Sequence, residues 1–518
     1  MAQNFKSTRF THETWKCKDA SEKDWLQYQE LLNSNLANVI TEYPLLTAEN
    51  PVINYVTVTQ EYINALWQKL YQAVMDAATM SIGKKLMKPE HKFWFNNPEV
   101  HRLLKEQRKL HNKYDKVRSS TSNLDRINEA KQKFYEARHK FKQGIIKLRQ
   151  ESWSKLISQL HSGADEKTRN RVQWQIWKRA VKKESCADLS KINNMNTNVT
   201  PETTLDSLNN LAEYFASIST SSLSSSSQAA IAVISSNNQN NQAENPVDDE
   251  SITFDKIEEA CLNIPTDTAL GFDDFSPYFL KHGTQLLFQC LFRFLDLSYQ
   301  SGFIPHDWTR SNVFALHKSG DKHLAKNFRP ISLTPIILRL YERLLVDKIT
   351  NVLTRNNILN RYQAGFRAKY STADNLYWFT HLLNKKFNVK KRRYLKPLYP
   401  VAFLDLSKAF DKLNINVLLK KVHHCGIKGN LFNFLKSFLS NRLIRTICYD
   451  KYSDWYQINC GTPQGSVIGP ILFSIYINDL LDEITNHTKV IPSDDICLLP
   501  SQTNDSLEPK FVRRSDDT

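Results

Sequence analysis

Residues 401–411, VAFLDLSKAFD, are the stretch on which the reading of this chain turns. Val401, Ala402, Phe403 and Leu404 form an apolar run too short for a helix, which predicts a fully buried strand. Asp405 closes the run with a charge that is costly to bury unless it is paired or bound to a metal. Much later in the chain Asp494-Asp495 stands between the apolar runs KVI and ICLL. Two apolar runs around a short polar segment predict a β-hairpin with the carboxylates at its tip.

An Asp-Asp pair alone carries little information, because the chain also has Asp248-Asp249, Asp273-Asp274 and Asp516-Asp517. The flanking apolar runs single out 494–495. A strand-borne Asp405 beside that tip gives an acidic trio able to hold two Mg²⁺ ions about 4 Å apart for in-line phosphoryl displacement. Magnesium takes few protein carboxylates and completes its shell with waters and substrate phosphates, so three acids without histidine fit.

Composition narrows the partners. A chain of 518 residues has room for two or three domains and a substantial core. The net charge of +16 and pI near 9.3 favour a polyanion, nucleic acid before membrane. The eight cysteines are scattered, with no close pair at metal-ligand spacing, which argues against a disulfide framework and a zinc site. MAQNFKSTRF lacks an apolar signal core and no long apolar run follows, so an intracellular protein with no membrane partner is expected. Ten of the 13 glycines lie after residue 250. Glycine marks turns and close backbone approach, so the C-terminal half is expected to be the mixed, loop-bearing part and the N-terminal half mostly helical.

Along the chain, residues 21–80 read as packed helices, with Leu66, Leu70, Val74 and Ala77 at helical spacing. Residues 99–160 are amphipathic and basic, with 15 Lys/Arg against 5 Asp/Glu between 101 and 150. A solvated helix face and a contact to a nucleic-acid backbone are both compatible with this excess; the lack of balancing acids supports the second. Trp153, Trp174 and Trp177 read as core residues. Residues 217–250 are Ser/Asn/Gln-rich and predict a flexible linker. The expected domains are therefore 1–216, helical and basic; 217–250, linker; and 251–518, catalytic. In the last, ITFDKIEEACLNI predicts a helix, Pro277 starts another, Asn312–Leu316 predicts a strand, and a long amphipathic helix follows NFRPISL. RTICYDKYSDWYQI reads as hairpin-like, and KKFNVKKRRYLK as a solvated or template-side loop. The alternation predicts an α+β fold with an antiparallel sheet bearing the acids.

ALGFDDFSPYFLK, HKSGDK, NFRPISL, QAGFRAKYST, AFLDLSKAFDKLN, GTPQGSVIGPILFSIYINDL and SDDICLL occur in this order. Together they resemble the fingers and palm of the reverse transcriptases of non-LTR (LINE-type) retrotransposons of the jockey- or CR1-like kind. The segment NNPEVHRLLKEQRKLHNKY resembles the helical region between endonuclease and polymerase in such elements. The resemblance implies a right-hand polymerase fold and RNA-directed DNA synthesis from dNTPs on an RNA template and a DNA primer, with two Mg²⁺ ions. It implies Asp405, Asp494 and Asp495 as catalytic metal ligands and Phe410 as the residue that excludes a 2′-hydroxyl. Gln464 and Gly465 would shape the nucleotide pocket, with the glutamine contacting substrate. Arg329 and Lys318 would neutralise the triphosphate, where the guanidinium fork suits phosphate oxygens. Arg367 would contact the template backbone. Asp411, Asn478 and Asp479 match the pattern, with capping or hydrogen-bonding roles expected.

Three departures stand beside the match. Pro492-Ser493 precedes the acidic pair where the family has an aromatic residue and alanine, and proline removes a ladder donor and fixes φ. The sequence given ends 23 residues past Asp495, so the rest of the palm, the primer-gripping segment and the thumb are expected to be missing. Neither an apurinic-type endonuclease nor a Cys/His knuckle is recognised in it. The expectation is a reverse transcriptase fragment; the alternatives are an inactive nucleic-acid-binding remnant and, more distantly, a structural or interaction protein on a borrowed fold.

Overall fold

The computed structural model describes residues 12–46, 58–87, 98–121, 123–161, 189, 192–193, 201, 203–219, 252–360, 363–367, 370–387, 401–448, 450–480, 487–490 and 495–500. The chain divides into two compact units, Met1–Thr14 with Lys85–Asp188, and Trp15–Lys84 with Leu189–Thr518.

The larger unit begins with two N-terminal helices, α1 (Glu22–Glu42) and α2 (Gln60–Ser81). Ser21 starts α1 with a capping box, its hydroxyl accepting from Asp24 N–H while the Asp24 carboxylate accepts from Ser21 N–H. Ile63, Leu66, Leu70, Val74 and Ala77 form the buried face of α2 at the expected helical spacing.

The smaller unit is built on α3 (Pro98–Ser120) and α4 (Leu124–His161), an antiparallel pair. Val100, Leu103, Leu110 and Val117 follow a heptad pattern on α3; Ala130, Phe134 and Ala137 answer on α4. The Phe134 ring lies 4.8 Å from His111 and 6.2 Å from Tyr114. A Cβ on Gly144 would come within 3.0 Å of Leu103, so the helices approach closely there.

In the larger unit, α5 (Thr204–Ser219) is followed by α6 (Phe254–Leu262), α7 (Pro277–Lys281) and α8 (Gln285–Ser301). Pro277 opens α7 as expected, with Ser276 Oγ accepting from Tyr278 N–H. Then come β1 (Arg310–His317), β2 (Phe328–Leu333), α9 (Ile336–Arg355), α10 (Thr372–Phe387) and β3 (Ala402–Asp405). The remaining elements are α11 (Ile415–His424), α12 (Gly429–Leu439), β4 (Arg442–Cys448), β5 (Lys451–Tyr452), β6 (Tyr456–Ile458), α13 (Gly469–Ile477), β7 (His487–Val490) and β8 (Asp495–Pro500).

Two sheets organise this mixed α+β unit. The first runs β2-β1-β4-β5, with β6 also pairing β4; β1 is antiparallel to β2 and parallel to β4. The second is three-stranded and antiparallel, in the order β3-β8-β7. One continuous core joins α1, α2, α6–α9 and α11–α13. Trp67 of α2 packs 5.4 Å from Phe294 of α8 and 5.2 Å from Trp308, which meets Tyr341 of α9, itself 5.1 Å from Phe434 of α12. Each such aromatic removes well over 100 Å² from water and contributes about 2–3 kcal/mol. Tyr28 Oη donates to the Phe279 carbonyl at 3.1 Å, and Trp25 stacks on His282 at 3.9 Å.

This packing groups the chain differently from the division expected on composition. Residues 22–81 share their core with the elements after 252, and residues 217–219 of the expected linker form the last turn of α5. That helix lies on the first sheet, where the Thr446 hydroxyl donates to the Leu208 carbonyl at 2.7 Å. Amphipathic periodicity predicts which face is buried but not against what. The rest of the expected linker, residues 220–250, lies outside the described residues, as does most of KKFNVKKRRYLK.

Candidate functional site

Antiparallel pairing sets Asp405, the last residue of β3, directly across from Asp495, the first residue of β8; Leu404 faces Ile496 and Phe403 faces Cys497. The partner of β8 on its other edge is β7, with Cys497 opposite Val490, so Lys489-Val490 and ICLL lie on the two arms of an antiparallel pair. Opposed residues of an antiparallel ladder lie about 5 Å apart at Cα. Asp494, with Pro492 and Ser493, lies outside the described residues.

One expectation for β3 fails. The strand is exposed along its length, with Phe403 at 69% and Leu404 at 45% exposure. Burial on both faces requires a covering layer on each side. Here β3 is an edge strand, and the apolar cluster beside it is small, centred on Leu382 of α10 with Phe379 6.1 Å from Phe403. Asp405 is exposed too, so its charge needs no buried partner.

After Asp405 the chain makes a turn, with Lys408 at φ +55° and its carbonyl accepting from Asp411 N–H and Lys412 N–H. The turn delivers Phe410 into a cluster with Leu413, Phe473 and Ile477, its ring 4.8 Å from Phe473 and 5.8 Å from Phe366. Its backbone is held from the other side. Thr462 N–H donates to the Phe410 carbonyl at 2.9 Å and Gly461 N–H to the Leu413 carbonyl at 2.7 Å. Gly461 has φ +77°, and a Cβ there would fall 2.6 Å from the carbonyl oxygens of both Phe410 and Asp411. Only glycine permits that approach.

Gln464 and Gly465 extend the contact to β2. Ser332 N–H donates to the Gln464 carbonyl at 2.7 Å, and a Cβ on Gly465, at φ +123°, would sit 2.5 Å from the Ser332 carbonyl oxygen. The Gln464 side chain donates to Asp411 Oδ1 at 2.7 Å. Burial pushes the Asp411 carboxyl up, opposed by that hydrogen bond and by the charges of Lys408, Lys318 and Arg442. Lys318 is thus within electrostatic reach of this corner. Arg329 shares its hairpin, opposite Leu316, and both cations are exposed.

The structure gives Arg367 local partners. Its Nη1 donates to the carbonyls of Asn360 and Gln363, and the guanidinium lies 4.4 Å over the Tyr370 ring. Asn478 accepts from Asn360 N–H and donates to the Ile358 carbonyl, while Asp479 pairs with Lys421 at 2.5 Å. These two make the hydrogen-bonding contacts expected of them.

Two charged residues that frame the site are not legible as such in the sequence. Glu342 of α9 is fully buried and accepts from Ser466 Oγ at 2.7 Å, from Val467 N–H and from Ile468 N–H at 3.1 Å. It fixes the loop between Gln464 and α13, although burial raises its carboxyl despite these bonds. Arg442, at the start of β4, donates from Nη2 to the carbonyls of Cys460 and Gly461 at 2.6 Å each. Its guanidinium is deeply buried, which pulls it down to about 10. A glutamate within an amphipathic helix reads as solvent-facing, and an arginine after LSN reads as a helix end. The spacing of neither announces a partner.

No group of three or more His, Cys, Asp or Glu side chains clusters among the described residues. Carboxylates without sulfur or imidazole beside them are a donor type suited to a hard divalent ion, and Asp405 and Asp495 are opposed in the ladder. No helix among the described residues is long and apolar enough to cross a membrane.

Residues 316–510 match the family model described as reverse transcriptase (RNA-dependent DNA polymerase). The chain is similar to three proteins of Drosophila melanogaster. It is 28% identical over 230 residues to the probable RNA-directed DNA polymerase from transposon BS, covering 44% of this chain and 25% of that protein. It is 30% identical over 206 residues to the probable RNA-directed DNA polymerase from transposon X-element, covering 38% and 21%. It is 27% identical over 252 residues to the RNA-directed DNA polymerase from mobile element jockey, covering 47% and 26%. The matched region therefore spans about a quarter of these relatives.

Proposed function

We propose, for a chain that carries a reverse transcriptase domain of the non-LTR retrotransposon kind, that it extends a DNA 3′ end on an RNA template using dNTPs. The observation that carries this reading is the register of Asp405 opposite Asp495, one turn before Phe410. On this reading residues 251–518 supply fingers and palm, and α1 and α2 buttress them through the core around Trp67. The protein would act inside the cell.

Each residue then has a task. Asp405, Asp494 and Asp495 would hold two Mg²⁺ ions, which would supply Lewis-acid activation of a 3′-hydroxyl and charge neutralisation at the pyrophosphate. Arg329 and Lys318, exposed on one hairpin, attract the triphosphate and orient it by charge-assisted hydrogen bonds. Phe410, wedged against Phe473 and Phe366, is stiff enough to reject a 2′-hydroxyl by steric clash. Gly465 lets its loop close on the Ser332 carbonyl, which shapes one wall of the nucleotide pocket. Gln464 supports the pocket through Asp411 as well as by reaching substrate. Arg367 braces its own loop and presents that loop to the template.

Primer extension by the full chain on poly(rA)/oligo(dT) tests this. Incorporation that depends on a divalent ion, and is lost in Asp405→Ala and Asp495→Ala, is expected. Equal incorporation by parent and variants, or none by the parent, sinks the proposal. Phe410→Val is expected to admit ribonucleotides while still extending with dNTPs.

A further inference from the structure

Lys408 sits in the turn between Asp405 and Phe410, and its side chain ends on a residue of a distant element. Its Nζ donates to the Tyr214 hydroxyl at 2.5 Å and lies 4.4 Å over the same ring. The two residues are 194 positions apart in the chain. The partner is a phenol although an acid is near. Asp411 acts on Lys408 electrostatically, while the Asp411 carboxylate accepts from Gln464. Burial pulls the Lys408 ammonium down, and in such a setting a charge-assisted hydrogen bond is stronger than on an open surface. The Lys408 backbone has φ +55°, which lysine adopts at a cost and glycine does not. A residue stays in that region where the structure around it holds it there.

Helix α5, which carries Tyr214, is itself firmly seated. Leu208, Leu211, Ala212 and Phe215 form its buried face at i, i+3, i+4 and i+7. Ser207 Oγ donates to the Leu189 carbonyl and accepts from Ile192 N–H at 2.7 Å, and the Asn210 amide donates to the Ile192 carbonyl at 3.0 Å. Asn193 N–H, next in the chain, donates to the His323 carbonyl at 3.0 Å, on the loop between β1 and β2 that also carries Lys318. Asn209 exchanges two hydrogen bonds with Asp454 before β6. Tyr214 is buried two turns beyond Ser207 on the same side of the helix. One helix thus ties the hairpin of Lys318 and Arg329 to the turn of Phe410.

We propose that Tyr214 is a positioning residue for sugar selection, holding the Asp405–Phe410 turn through Lys408 at the setting from which Phe410 meets the incoming nucleotide. The inference rests on the polymerase reading above for its consequence, and on the Tyr214–Lys408 contact for its cause. Tyr214 touches neither Phe410 nor substrate in this role. It acts by denying the turn the freedom to relax away from φ +55° and carry Phe410 with it.

The test uses the full chain and Tyr214→Phe, which keeps the ring and removes the acceptor. On poly(rA)/oligo(dT) the preference for dTTP over UTP, as a ratio of kcat/KM, is expected to fall roughly tenfold, the worth of one hydrogen bond to a charged group. The kcat with dTTP is expected to change little. Lys408→Met is expected to do the same, and the double variant to be no worse than either single one, because both cut one contact. Lys408→Gly accepts φ +55° without strain but lacks the tether, and is expected to lose the preference as well. Hydrogen exchange reads the turn with no substrate present. The Asp411 and Lys412 amides, which donate to the Lys408 carbonyl, are expected to exchange roughly tenfold faster in Tyr214→Phe, with α5 unchanged. Unchanged sugar preference in Tyr214→Phe would overturn the proposal, as would additive effects in the double variant or faster exchange throughout α5. A parent that makes no product while its turn loosens in Tyr214→Phe would sink the polymerase reading and leave the tether standing.

Discussion

Gln464 donates its side-chain amide to Asp411 across 2.7 Å, joining the loop after the first glycine of GTPQG to the turn that follows Asp405. The two residues lie 53 positions apart in the chain. The bond holds Gln464 in one rotamer and offsets part of the cost of burying the Asp411 carboxyl.

Cutting that bond tests its role. A hydrogen bond to a charged group contributes about 1.5–3 kcal/mol, and the half-buried setting favours the lower figure. Asp411→Ala is therefore expected to raise the KM for dNTP roughly tenfold in primer extension, with a smaller effect on kcat. Asp411→Asn keeps an acceptor and is expected to retain most of the affinity. Equal effects of the two substitutions would mean that the carboxyl charge, rather than the bond to Gln464, matters.

How far the site is legible in sequence follows from what each residue does. The positions of Asp405 and Asp495 are legible because the apolar runs that end and begin beside them read as strands, and the ladder pairs those strands residue for residue. The second sheet's other property, exposure of β3, is not legible. Four apolar residues look alike on an edge strand and in a covered one, and only the number of layers above them decides. Glu342 and Arg442 are hidden for the opposite reason. Their partners are backbone N–H groups and carbonyls, which every sequence has and no pattern marks. Docking of α2 through Trp67 is hidden likewise, because its heptad-like face does not name the surface of α8.

Glu342 is the charge on which the Ser466–Ile468 loop depends. Removing it leaves the Ser466 hydroxyl proton and two backbone N–H groups without their acceptor, each costing about 1 kcal/mol or more. Glu342→Ala is expected to lower the unfolding free energy by about 3 kcal/mol in urea titrations, with the m-value unchanged. Glu342→Gln retains one acceptor and is expected to lose about half as much. A loss under ~0.5 kcal/mol for Glu342→Ala would show that water replaces the carboxylate.

Two glycines of similar φ separate conformational strain from steric clash. Gly83 has φ +66°, and a Cβ there meets nothing closer than 3.9 Å. Gly461 has φ +77°, with two carbonyl oxygens at 2.6 Å from the same point. Gly83→Ala is expected to cost about 1 kcal/mol, the left-handed penalty alone. Gly461→Ala has to push apart the backbone of Phe410 and Asp411 and is expected to cost about 3 kcal/mol or more. It should also weaken the discrimination against ribonucleotides assigned to Phe410. Equal costs in denaturation would show that the turn around Phe410 gives way freely.

Asp273 makes stability depend on pH. Its Oδ2 is shut off from solvent without a hydrogen-bond partner among the described residues, and burial pushes the carboxyl up to about 7 from an ordinary 3.8. Nearby Arg339 opposes that shift without cancelling it, while Asp274 adds to it. The folded state therefore holds a proton that the unfolded chain releases between about pH 4 and 7. Below that window both states are protonated and burial carries no ionisation penalty. As pH rises through it the fold binds more protons than the unfolded chain, so this contribution is lost progressively and stays lost above about 7. The shift corresponds to a loss on the order of 4 kcal/mol. Asp273→Asn resembles the protonated form and is expected to match the parent near pH 4. By pH 8 it should exceed the parent in unfolding free energy, as read from urea midpoints at the two pH values. A parallel pH profile for the two proteins would place the titration elsewhere.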